Sequence, residues 1–171
     1  AYLPEEDAKV SVFDPAFLSG DAAYEVTAVV GGRLVDFAGH LKRLDRSLSE
    51  IALAPPLSHA ALRAMHEELI ARNGVAEGGV YLQITRGVAD RDFLYPEGAA
   101  PTVVAFPQSR PVLEHPCAAA GIKVVTIPDL RWKRRDIKST SMLAQVMGKQ
   151  AAKLKGAYEA WMMEDGFVTE G

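Results

Sequence analysis

Apolar and polar positions change period several times along the chain, and the order of those changes predicts a mixed α+β fold. Residues 8–13 alternate weakly and predict a short strand, ended by Asp14-Pro15 and a loop through Ser19-Gly20-Asp21. Two β-rich runs, 24–30 and 33–37, flank Gly31-Gly32, a two-residue hairpin signal. Across 40–53, Leu41, Leu44, Leu48 and Ile51 share one helical face with Arg43 and Arg46 beside it, and Pro55-Pro56 ends the run. Ser58 can cap a second helix carrying Leu62, Met65, Leu69 and Ile70, which stops at Asn73-Gly74, where a left-handed residue is wanted. Strands are expected at 80–85 and 102–106, separated by the long polar loop 86–100.

Proline and small residues crowd 107–120, which predicts a small α+β domain at 1–111, a linker at 112–120 and a second domain at 121–171. In that second part a strand (122–127) precedes a basic stretch (129–136), a helix (141–155) ending at Gly156, and a strand (158–163) turning at Glu164-Asp165-Gly166. Residues 167–170 read as the opening arm of a hairpin without its return strand, and the chain starts on Ala rather than Met. A fragment is therefore expected, holding the first part of a larger α/β domain.

Composition narrows the classes. With 171 residues, 49% of them hydrophobic and 24% charged, the chain can bury a core, which excludes a wholly disordered protein. A net charge of −3 supplies no general attraction to nucleic acid or an anionic membrane. The run Arg131-Trp132-Lys133-Arg134-Arg135 mixes cations with an aromatic, but one such cluster on an acidic chain leaves the expectation at no nucleic-acid partner. The single cysteine, Cys117, cannot form an intrachain disulfide, and the acidic start lacks a signal peptide's features, so the cytoplasm is the expected location. No apolar run reaches the ~18 residues of a membrane span. His40, His59, His66 and His115 have no metal-ligand spacing, and no metal is expected. Glycine-rich phosphate loops and a Gly-x-Ser-x-Gly elbow are absent.

Lys138 sits where a basic strand is expected to give way to a helix capped by Ser139 or Thr140. Neighbouring cations and the positive helix end would both ease loss of its proton, and a neutral amine is what imine formation with an aldehyde requires; the alternative is an ordinary solvated lysine. Glu170 is either a surface acid in a turn or a carboxylate able to keep a pyridine nitrogen protonated. Arg43 could snorkel to solvent or clamp a phosphate. Arg91, in the long loop, and Tyr24, in a strand, could hold a substrate carboxylate; the commoner roles are a solvated arginine and a core tyrosine.

The segments Phe17-Leu-Ser-Gly-Asp-Ala-Ala-Tyr-Glu-Val26, Gly39-His-Leu-Lys-Arg-Leu44, Tyr81-Leu-Gln-Ile-Thr-Arg-Gly87, Asp136-Ile-Lys-Ser139 and Tyr158-Glu-Ala160, leading to Val168-Thr-Glu-Gly171, occur in a telling order. In that order the chain resembles the fold type IV pyridoxal-phosphate aminotransferases, most closely the D-amino-acid (D-alanine) transaminases. The resemblance implies a two-domain fold, pyridoxal 5'-phosphate as cofactor, and transamination between an amino acid, D-alanine or another D-amino acid, and a 2-oxo acid. By the same likeness Lys138 is the Schiff-base lysine and proton carrier, Glu170 the partner of the pyridine nitrogen, and Arg43 a ligand of the cofactor phosphate. Tyr24 matches a tyrosine of the active-site wall, and Arg91 an arginine that reaches the substrate carboxylate in the partner's site of a homodimer. D-specific members usually place a histidine two positions beyond that arginine, where this chain has Phe93, which cannot donate a hydrogen bond. Pro15 and Ser19 stand where the family more often has an arginine and a bulky aromatic. A branched-chain L-amino-acid transaminase, an (R)-selective amine transaminase and an aminodeoxychorismate lyase would use the same lysine, and an inactive fragment or binding module is the remaining alternative.

Overall fold

The helix α1 (Pro15–Ser19) is set by its ends: the Asp14 side chain accepts from Ala16 N, proline occupies the first turn, and Gly20 closes it in the left-handed conformation. The chain then enters strand β1 (Ala22–Val30), which buries Ala23, Glu25, Thr27 and Val29 on one face and leaves Tyr24, Val26, Ala28 and Val30 half-buried on the other. In this computed structural model all residues, 1–171, are described, and they form two units: Ala1–Arg110 with Ile137–Ser141, and Pro111–Asp136 with Met142–Gly171.

In the first unit, β1, β2 (Arg33–Leu34), β3 (Glu77–Thr85) and β4 (Val103–Ser109) form an antiparallel sheet in the order β2-β1-β3-β4. Gly31 and Gly32 both take positive φ, so the β1–β2 hairpin turns on the dipeptide that predicted it. Helix α2 (Phe37–Glu50) buries Phe37, Leu41, Leu44 and Leu48 against Ala23, Leu82 and Ile84, joined by Leu62 of α3 (His59–Asn73). Burying each leucine contributes about 1.5–3 kcal/mol. Ser58 caps α3 through Ala61 N, and Gly74 ends it in the left-handed conformation.

Several expectations are corrected. Residues 8–13 form no strand; Val10, Val12 and Phe13 stay exposed, because no neighbouring strand offers them a ladder. The run 33–37 shortens to Arg33–Leu34, since Asp36 at φ 47 turns the chain and α2 starts at Phe37.

In the second unit, after the short α4 (Cys117–Ala120), β5 (Val124–Pro128) pairs parallel with β6 (Glu159–Glu164), and α5 (Leu143–Leu154) connects them. A methyl on buried Gly148 of α5 would lie 2.9 Å from Ile127 Cδ1, so the missing side chain lets helix and sheet approach. Strand β7 (Phe167–Glu170) runs antiparallel to β6 across Asp165 and Gly166, both at positive φ. Residues 167–170 are thus the returning arm of a hairpin that β6 begins, not an opening arm. The chain leaves the first unit after Arg110 and re-enters it at Ile137–Ser141, a crossing that the linear division into 1–111, 112–120 and 121–171 does not contain. No helix is long and apolar enough to cross a membrane.

One core residue is polar. His66, fully buried on α3, donates from Nδ1 to the Leu62 carbonyl at 2.7 Å, packs edge-on against Phe37 and leaves Nε2 without a partner. Burial pushes its pKa below 6.5; the Leu62 carbonyl opposes, and the charges of His40 and Arg63 add to the fall. The unfolded histidine takes up a proton at 6.5 and the folded one does not, so its contribution to stability is complete above that pH and declines below it. Urea titrations should therefore show stability falling between pH 7 and 5 by up to about 1.4 kcal/mol per pH unit from this group, with a shallower fall in His66→Leu.

Candidate active site

Lys138 lies in the segment that re-enters the first unit, and it is held by its backbone first. Tyr24 N donates to the Lys138 carbonyl at 3.0 Å, Lys138 N donates to Ser47 Oγ of α2 at 3.1 Å, and Ser139 bridges Ala23 of β1. The side chain is thereby laid along the half-buried face of β1. Its Nζ donates to the Tyr24 hydroxyl at 3.2 Å and sits 4.3 Å above the Tyr24 ring centroid. No carboxylate pairs with this amine. Tyr24 stacks on Tyr81, and Tyr81 on Phe106, making an aromatic row across β1, β3 and β4. Burial raises the Tyr81 pKa, which keeps that phenol neutral while it donates to Gln83 Oε1.

The local environment expected for Lys138 is not the one found. Helix α5 begins only at Leu143, and neither Ser139 nor Thr140 caps it; Thr140 Oγ1 donates instead to the Gly20 carbonyl. Residues 129–136 form turns after β5 rather than a strand. Arg134 pairs with Asp136, and Arg135 with Asp129 and Glu164, so these cations are already engaged.

Arg43 is neither free in solvent nor wholly available. Its Nε and Nη2 donate to the two oxygens of Glu25, both at 2.6 Å, and His40 Nδ1 lies 2.7 Å from Glu25 Oε2. Glu25 is 3% exposed and Arg43 49%, so a buried acid fixes a guanidinium at the rim. The Glu25 hydrogen bonds raise the Arg43 pKa against a smaller opposing effect of burial. Nη1 makes no bond within the chain.

Arg91 stays in the long loop with its guanidinium 5.5 Å from the Phe93 ring, and it does not meet Tyr24 or Lys138. Phe93 is 90% exposed. In the second unit, Glu170 ends β7, and its Oε2 accepts from Arg131 Nη1 at 2.6 Å. Arg131 is in turn forked onto Asp129, whose carboxyl is held far below the usual range mainly by that arginine, with burial opposing and the Thr169 hydroxyl assisting.

The sequence profile described as Amino-transferase class IV matches residues 22–171. This chain belongs to that family. A D-alanine aminotransferase from Bacillus licheniformis is 38% identical over 171 residues, which are 99% of this chain and 59% of the relative. The class IV chain thus spans about three-fifths of the length of the curated relatives it matches. Among solved structures, the Escherichia coli branched-chain amino acid aminotransferase superposes with a TM-score of 0.83 at 18% identity, covering 99% of this chain and 59% of that one. A hypothetical aminotransferase from Mycobacterium tuberculosis with alpha-ketoglutarate and PMP bound gives 0.81 at 22% identity, covering 95% and 59%.

Two residues of this class IV chain escaped the reading of candidate chemistry, although both lie inside the quoted motifs. Glu25 is the acid that fixes Arg43. Arg86, 6% exposed, donates to both oxygens of Asp21 and to the Ile51 and Ala52 carbonyls, and the ring of Tyr95 lies 3.5 Å from its guanidinium carbon. It ties the loop 86–100 at Tyr95 to the end of α2 and to the turn before β1. Only its place at a strand end beside Gly87 signals it in the sequence. Arg86→Met should lower stability by about 3–5 kcal/mol in denaturant titrations, since Asp21 and two carbonyls lose their partner, and limited proteolysis should cut within 86–100 faster.

Proposed function

We propose that this chain is the lysine-bearing part of a pyridoxal-phosphate-dependent aminotransferase, and that the whole protein exchanges amino groups between a D-amino acid, D-alanine foremost, and a 2-oxo acid. The observation that carries the reading is the Lys138 amine, held against the Tyr24 hydroxyl with no carboxylate to neutralise it, in a chain of the class IV family. The family's D-alanine aminotransferases support the substrate class.

The donor set suits the cofactor: a primary amine for an aldehyde, a guanidinium for a phosphate, a carboxylate for a pyridine nitrogen. When bound, pyridoxal phosphate supplies that aldehyde and a ring that withdraws electrons from the bond being broken. Lys138 Nζ takes the substrate α-proton as base and returns it as acid, and the Tyr24 oxygen, accepting from Nζ, orients the amine. Arg43, with Nε and Nη2 fixed by Glu25, has Nη1 left to donate to a phosphate oxygen. Glu170 accepts from the ring nitrogen. Arg91, carried on an exposed loop, holds the substrate carboxylate in the partner's site of a homodimer. The protein works in the cytoplasm, in keeping with its free Cys117.

One observation favours a second reading. Phe93, exposed and unable to donate a hydrogen bond, fits an L-selective transaminase of branched-chain amino acids better than a D-specific carboxylate trap. Turnover of D- and L-alanine with 2-oxoglutarate separates the two: faster reaction of the D-enantiomer is expected, and strict L-preference removes D-alanine. Borohydride reduction of the holoprotein should leave a pyridoxyl label on the Lys138 peptide. Lys138→Ala should lose that label and at least about 10²–10⁴-fold in transamination rate; ordinary turnover by this variant would end the assignment.

A further inference from the structure

Within the second unit, one arginine is built into place by more bonds than an ion pair needs. Arg131 N and Nε meet Asp129 Oδ1 at 3.0 and 3.1 Å, and Nη2 donates to Asp129 Oδ2 at 2.8 Å and to the Thr169 carbonyl at 2.9 Å. The Thr169 hydroxyl closes the ring by donating to Asp129 Oδ2 at 2.7 Å, and the Asp129 side chain is fully buried. The donor left over, Nη1, meets Glu170 Oε2 at 2.6 Å. The other oxygen, Oε1, accepts only a long contact from Gly171 N at 3.3 Å.

We propose that Arg131 is a positioning residue: it fixes the Glu170 carboxylate through Oε2 so that Oε1 is presented to the ring nitrogen of the cofactor. The inference rests on the reading of Glu170 given above. A free glutamate side chain loses rotamer freedom when it is ordered, and the Asp129–Arg131 fork imposes that order before the cofactor arrives. A lysine could not replace it, because one ammonium cannot grip both Asp129 oxygens in plane and also reach Glu170.

The test is a double-mutant cycle on the full-length protein, reading the dissociation constant of pyridoxal phosphate from quenching of Trp132 and Trp161 fluorescence. Glu170→Ala and Arg131→Met should each weaken binding by about tenfold or more, and Arg131→Lys should also weaken it. In the Glu170→Ala background, Arg131→Met should add less than about twofold. Equal effects of Arg131→Met in both backgrounds, or no effect in either, would overturn the proposal. If Arg131→Met does not fold, Arg131→Lys, which keeps a cation beside Asp129, carries the same cycle. If Glu170→Ala leaves binding unchanged while borohydride still labels Lys138, it is the role of Glu170 that has failed, and the proposal goes with it.

Discussion

The first unit is organised around one short pairing, the return of Ile137–Ser141 to β1. Tyr24 N to the Lys138 carbonyl, Thr140 N to the Ala22 carbonyl and the Ala23–Ser139 bridge hold that segment against a strand already paired with β2 and β3. The Lys138 amine inherits its position from these backbone bonds rather than from its own side-chain contacts, which amount to one tyrosine. A lysine side chain has high rotamer entropy, so a backbone anchored on both sides, with Ser47 beneath it, is what keeps the amine near a defined spot.

β1 serves two purposes because successive side chains leave opposite faces of a strand. Tyr24 faces the aromatic row and Lys138, while Glu25, the next residue, faces α2 and grips Arg43 and His40. From adjacent positions, Tyr24 thus orients an amine and Glu25 a guanidinium. Its burial also explains why α2 carries charge beside its apolar stripe: a buried carboxylate is tolerable only when strong donors satisfy both of its oxygens.

Cations elsewhere follow a common pattern. Arg86 on Asp21 and Arg131 on Asp129 are each forked onto an acid, and each has a donor or a face to spare, for the backbone of α2 and Tyr95 in one case and for Glu170 in the other. Lys138 is the contrast, an amine without an acid. In low-dielectric surroundings a forked pair is rigid and chemically quiet, whereas an unpaired amine is available to react.

Much of this was legible in the chain itself. The Gly31-Gly32 hairpin, the leucine stripe of α2, the Ser58 cap and the Gly74 stop are local rules of turn chemistry and helical spacing, and they held because each needs only residues a few positions apart. Where a local pattern lacked a partner it misled: 8–13 alternate but have no neighbouring strand, and 167–170 find theirs behind them in β6. The motif order carried the family as well. Tertiary structure alone decided which acid faces which cation and what surrounds Lys138. Lys138 and Tyr24 are 114 positions apart, Arg86 and Asp21 65, Arg131 and Glu170 39. Charges that far apart in sequence leave no periodic trace, because only the folded backbone determines which side chains share a small volume from which water is excluded.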